Sequence, residues 1–234
     1  MDISLVSSII KTTQNIMIKY LKNGLYIPIL YGFTYYLTSD ILFTTIVAVK
    51  MYPMNHFYWF GHKNTYENIP KQYNFVKQFI RFTDTGHIVS LFYLIDPSII
   101  PLAHNIHFLI TFGFWSGKYL GMRDSDNRDD PEIVKWYQNG WSYYSHGIPY
   151  LLFLRQLIIS EQCYSFDFNN IWLSYLWLYM WFLMVYIPWR FYTGDLVYTI
   201  FSFDVPIGKR LQFIGLIHVL LLVANSIGYM VNRI

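Results

Sequence analysis

Charge is what this sequence has least of. Only 13% of its 234 residues are Asp, Glu, Lys or Arg, about half the share of an ordinary soluble domain. Cysteine is nearly missing too. The single Cys163 excludes an intrachain disulfide, and with no basic neighbour to lower its pKa it does not read as a nucleophile. There is no Gly-x-Gly-x-x-Gly or phosphate-binding loop, no Gly-x-Ser-x-Gly, no His-His pair and no Asn-x-Ser/Thr acceptor. These absences argue against a dinucleotide or nucleotide site of the common kinds, a serine on a nucleophile elbow, and the adjacent histidines of membrane di-iron enzymes. The net charge of +3 is too small to point to nucleic acid. The first ten residues lack a basic n-region and a long apolar h-region, so the first membrane helix is expected to serve as the targeting signal.

What the chain has instead is apolar and aromatic surface: 54% hydrophobic and 21% Phe, Trp or Tyr. Its charges cluster around 63–84 and 123–135, with long stretches between that hold almost none. A bilayer imposes this arrangement, because a charge costs several kcal/mol at the membrane centre and little at its edge. Aromatic side chains suit the interfacial belts. The expected fold is all-α: a polytopic transmembrane helix bundle with five or six spans, residues 1–234 forming one integral membrane domain.

Residues 1–23 mix isoleucines with Lys11, Lys19 and Lys22. They read as an interfacial amphipathic helix, with a first span as the alternative. A helix needs about 20 residues to cross the hydrocarbon, so one full span is expected near 34–55, preceded by a short apolar segment. Asp96-Pro97 and Ile100-Pro101 divide the next apolar stretch into spans near 83–96 and 101–121, since proline removes a donor and clashes with the preceding turn. Further spans are expected at 147–160, 170–191 and 211–231. The positive-inside rule does not choose an orientation here, because the basic segments 1–23 and 61–81 flank the first clear span.

Ionisable or nucleophilic groups inside spans are candidate functional sites. The set is Thr38 with Asp40, Thr44, Thr45, Asp84 with His87, His104, His107, His146, Arg155 and His218. Each has a plain structural reading beside a functional one. Thr38 could bond back to the carbonyl one turn earlier, and Asp40 could start a helix. His104 and His107 share a helical face at a metal-like spacing, or lie beside Pro101 as interfacial histidines. His146 could be an aromatic-belt histidine or a general base, since imidazole titrates near neutrality.

Four patches occur in a telling order. Leu37-Thr38 follows Tyr35-Tyr36; Phe114-Trp115, Tyr119 and Arg123-Asp124 close a span; Trp141 and His146 open the next; and Tyr192-Thr193-Gly194-Asp195-Leu196-Val197-Tyr198 links the last two, before Pro206 and Gly208. In this order the chain resembles, over about residues 33–232, the androgen-induced / androgen-dependent transmembrane family of multi-span threonine hydrolases. The resemblance implies hydrolysis of fatty acid esters of hydroxy fatty acids, with Thr38 as nucleophile and His146 as base. It places the family's motif arginine on Arg123, with Asp124 at its following acid. Arg123 or Arg155 is then expected to hold the free carboxylate of the substrate. It implies no metal and no cofactor, a lipid bilayer and a lipid ester as partners, and the endoplasmic reticulum or plasma membrane as location. The alternatives are a non-enzymatic channel, transporter or lipid-handling protein, and a metal-dependent lipid enzyme using His104 and His107.

Overall fold

Proline, glycine and capping carboxylates decide where the helices of this chain end. The computed structural model describes residues 10–15, 26–60, 76, 79–119 and 142–233. It is built of helices, and no strand occurs among the described residues. By its contacts the chain divides into two compact units, Met1–Gly61 and His62–Ile234.

In the first unit, residues 10–15 are helical and exposed; most of the amphipathic segment expected over 1–23 lies outside the described residues. Helix α1 (Tyr26–Thr38) is followed by α2 (Ile41–Phe60). The span expected near 34–55 is therefore broken at Ser39–Asp40. Ser39 takes a left-handed φ of 53°, a conformation rarely used by residues with a side chain. Asp40 then caps α2, its Oδ1 accepting the Phe43 N–H at 2.9 Å, as a helix-start aspartate does. The Tyr31 hydroxyl and Thr45 Oγ1 lie 3.0 Å apart. On a continuous helix residues fourteen apart would be separated by about 21 Å, so α2 folds back along α1.

The second unit begins with α3 (Phe82–Ser90), prolonged by a 3₁₀ turn at Leu91–Leu94. Asp96 and Pro97 stop it as expected: the Asp96 carboxylate accepts the Ser98 N–H at 3.0 Å and opens a second 3₁₀ turn, Pro97–Ile99. Then come α4 (Ile100–Tyr119), α5 (Ser142–Ile159, with Pro149 inside), α6 (Phe168–Thr193) and α7 (Ile207–Val231). Helix α6 contains a π turn at Phe182–Tyr186 and ends on Gly194, whose φ of 74° suits glycine.

These helices run antiparallel, as their contacts show. Gly86 of α3 abuts Ile106 and Ile110 of α4, and Ser90 meets His107. Phe114 meets Tyr143 of α5, while Phe108 meets Tyr150. Tyr175 of α6 bonds the His218 carbonyl of α7, and Asn232 after α7 bonds both main-chain groups of Tyr164 before α6. Helix α4 is central and packs against α3, α5, α6 and α7. Its Ile100, Ala103 and Ile106 form the core with Phe153, Leu221 and Ala224. The outer faces of α6 and α7 are also apolar, with Trp172, Met184, Leu211 and Met230 all exposed. Both helices are long and apolar enough to cross a membrane.

Candidate active site

Thr38 is the last residue of α1 rather than the first of a span. Its Oγ1 donates to the Thr34 carbonyl at 2.8 Å and accepts the Asp40 N–H at 3.3 Å. A helical threonine commonly bonds back in this way; here the same oxygen also collects an amide from beyond the break. The side chain is half-buried and adjoins exposed Tyr35, Tyr36 and Leu37. The hydroxyl thus sits on a strained corner, its proton directed at a backbone carbonyl.

His146 lies in the second turn of α5 and is half-buried. Its ring stacks on Phe114 with centroids 4.0 Å apart and planes 15° from parallel. Trp115 stacks on Tyr143 at 5.2 Å. The end of α4 and the start of α5 therefore join Phe114, Trp115, Tyr143 and His146, which come from two separate sequence patches. Ser145 Oγ lies 3.2 Å from His146 Nδ1. With the proton on Nδ1, Ser145 accepts it and Nε2 carries the lone pair that a base requires. The main chain is anchored as well: the Thr111 hydroxyl donates to the His146 carbonyl. Pro149 has no N–H to return to the Ser145 carbonyl one turn earlier; the Thr111 bond falls on the next carbonyl, that of His146.

The two arginines fall elsewhere. Arg123 lies outside the described residues. Arg155 is exposed and stands nine residues after His146, about 13 Å along the helix and half a turn round. It does not join the aromatic cluster around His146.

Sequence inspection singled out Asp84, His87, His104 and His107, all of them buried. It did not single out the serine and asparagines that organise this interior. Ser90 Oγ donates to the Gly86 carbonyl at 2.7 Å and lies 2.8 Å from His107 Nε2. A serine has one proton to give, so His107 donates to Ser90 and is not poised to deprotonate it. His104 Nδ1 lies 3.2 Å from Asn105 Oδ1, an acceptor, so Nδ1 carries the proton. Its Nε2 has no hydrogen-bond partner and is packed among the rings of Tyr150 and Phe166. The two histidines of the metal-like spacing thus turn to different partners, and no group of three His, Cys, Asp or Glu side chains able to hold a metal ion occurs among the described residues. Asn105 spends its amide protons on Ser174 at 3.0 Å and Asn225 at 3.2 Å. Asn225 in turn donates to the Phe166 carbonyl. One asparagine thereby ties α4 to both α6 and α7.

No family model, no curated protein and no solved structure matches this chain.

Proposed function

We propose that this protein is a multi-pass membrane protein with five or six crossings, in the endoplasmic reticulum or plasma membrane, that hydrolyses lipid esters. The substrate class is fatty acid esters of hydroxy fatty acids. Thr38 supplies the nucleophile and His146 the base. The observation that carries this reading is the placement of His146: ring stacked on Phe114, Nδ1 engaged by Ser145 and carbonyl held by Thr111. A histidine whose ring is held by stacking and by one nitrogen, and whose main chain is anchored besides, is pre-organised for proton transfer.

The chemistry is acyl transfer. Thr38 belongs to the first unit and His146 to the second, and the proposed reaction requires the base to take the threonine proton as Oγ1 attacks the ester carbonyl. The collapsing intermediate then expels the alkoxide of the hydroxy fatty acid, which receives that proton from the imidazolium. An acyl-threonine remains. Water, deprotonated by the same imidazole, attacks it; the second acid leaves and Thr38 recovers its proton. Arg123 is proposed as the partner of the substrate carboxylate, because guanidinium and carboxylate pair through two parallel hydrogen bonds. Arg155, on the opposite face of α5 from His146, is a weaker candidate for that pairing.

A channel or transporter finds less support. Asn105 bonds Ser174 and Asn225, and both Asn105 and Ser174 are buried, which suits a rigid core better than a wet pathway.

The test is fluorophosphonate labelling and ester hydrolysis by purified wild type, Thr38→Ala and His146→Ala in detergent. Labelling and turnover by wild type, lost in both folded variants, support the hydrolase. An inert wild type, or full activity in Thr38→Ala, removes it.

A further inference from the structure

The directions of the helices in the second unit sort its charges, although the sequence alone does not. Ile80 and Phe82 before and within α3 contact Trp181 and Tyr198, so the start of α3 lies at the same end as the 194–206 connection. The end of α4, the start of α5 and the start of α7 lie there too, because these helices alternate in direction. The opposite end holds the 95–99 turn, the 160–167 connection and Asn232–Arg233.

From residue 62 onward the chain carries thirteen Lys and Arg. Eleven lie on the segments 62–81, 118–141 and 190–210, all of which lead into or out of helices at the first end. Only Arg155 and Arg233 belong to the second. Lysine and arginine near span ends, rather than net charge, set the orientation of membrane helices.

The described part of the basic end has the features of a membrane–water boundary. Phe191, Tyr192 and Phe203 are 81–89% exposed. Arg190 donates to the Gly194 carbonyl, and the Arg210 guanidinium lies 5.8 Å from the Phe203 ring centroid. Lys209 and Arg210 stand in and just after the first turn of α7, where the helix dipole disfavours cations. The carboxylates nearby are already engaged: Asp195 accepts from Trp189 Nε1 at 2.9 Å and Asp204 from Ser202 at 3.0 Å. Anions supplied from outside the protein would offset that cost.

We propose that this end of the second unit sits in the anionic cytoplasmic leaflet, with Arg190, Lys209 and Arg210 among lipid phosphates, and that the end carrying Cys163 lies across the membrane. This rests on the membrane reading above and is independent of the hydrolase chemistry. Negative lipid surfaces attract juxtamembrane basic segments, while exposed aromatic rings hold the boundary depth.

Cys163 is the chain's only cysteine and is exposed, so the protein carries its own reporter. The experiment uses sealed vesicles with the cytoplasmic face outward, a membrane-impermeant maleimide, the wild-type chain and the double variant Cys163→Ser/Asp204→Cys. Wild type is expected to label only after detergent opens the vesicles, and the double variant to label in sealed vesicles. The reverse pattern, or equal labelling of both in sealed vesicles, overturns the orientation. Release of the protein by alkaline carbonate overturns the membrane reading and this inference with it, so the two failures are told apart before any labelling is compared.

Discussion

The hydroxyl of Thr111 donates to the main-chain carbonyl of His146 across the contact between α4 and α5. It couples the central helix to the proposed base without touching the imidazole. Thr111→Val keeps the shape and removes the donor. Losing this bond, with the carbonyl still within its own helix, should cost about 0.5–1.5 kcal/mol, seen as a lower thermal midpoint in detergent. Ester hydrolysis at a temperature where the variant is still folded should also fall, since a base displaced by a fraction of an ångström loses rate. Unchanged stability and unchanged hydrolysis together would show that this bond anchors nothing.

Asn105 is the polar hub of the second unit. Asn105→Leu removes its bonds to Ser174 and Asn225, and the protein should lose about 1–3 kcal/mol. Ser174→Ala should lose less, because Ser174 also bonds the Asn170 carbonyl within its own helix. Thermal denaturation of the two variants in the same detergent checks the order. A Ser174→Ala that is the weaker of the two would contradict it.

Gly228 faces the ring of Phe166 so closely that an added Cβ would stand 2.1–2.5 Å from three ring carbons. Gly228→Ala should therefore destabilise by overpacking, by about 1–3 kcal/mol. Phe166→Leu in the same chain makes room and should restore part of the loss, although Phe166→Leu alone is destabilising. A double-variant cycle read from midpoints tests the coupling; strict additivity would mean the two residues do not compete for space.

Asp167 begins α6. The Asn170 N–H bonded to its Oδ1, aided by the Ser165 hydroxyl on Oδ2, holds its carboxyl below the ordinary carboxylate range. A carboxylate with a depressed folded-state pKa adds stability above its unfolded pKa, and that stability disappears as pH falls through the folded value. The acid limb of the stability profile should thus flatten in Asp167→Asn, which can still accept the Asn170 N–H but does not titrate. Superimposable acid limbs would place the acid sensitivity elsewhere.

Much of the helix plan is legible in residues that act on their own backbone. Pro97 with Asp96 breaks α3 from α4 where proline geometry requires it, and Thr38 makes the back-bond expected of a helical threonine. Asp40 allowed two readings, and its bond to the Phe43 N–H selects the helix start. Two features were not legible for a common reason, that their partners are remote. Helix α5 starts at Ser142 rather than near Gly147, with Pro149 inside it, and Thr111, which anchors the His146 carbonyl of that helix, lies 35 residues earlier in the chain. Asn105 reads as an isolated amide in an apolar run, since Ser174 and Asn225 are 69 and 120 residues away. At the candidate site, the patches containing Phe114 and His146 suggested a shared neighbourhood only through their order, and the stacking of the two rings supplies the geometry.

The π turn at Phe182–Tyr186 bears on how this chain tolerates changes of length. On a regular α-helix, residues five apart point about 140° away from each other, yet Trp181 and Tyr186 are both buried and their rings lie 5.7 Å apart. The wide turn absorbs one surplus residue and returns the inward stripe to Tyr186 and Trp189. Deleting a single residue within it should return α6 to a regular α-helix, in which residues four apart share a face, and so leave Trp189 and the Gly194–Tyr198 connection in their present register. A one-residue deletion here is absorbed locally, whereas the same deletion in α4 would turn everything downstream by about 100° and break the register of the core.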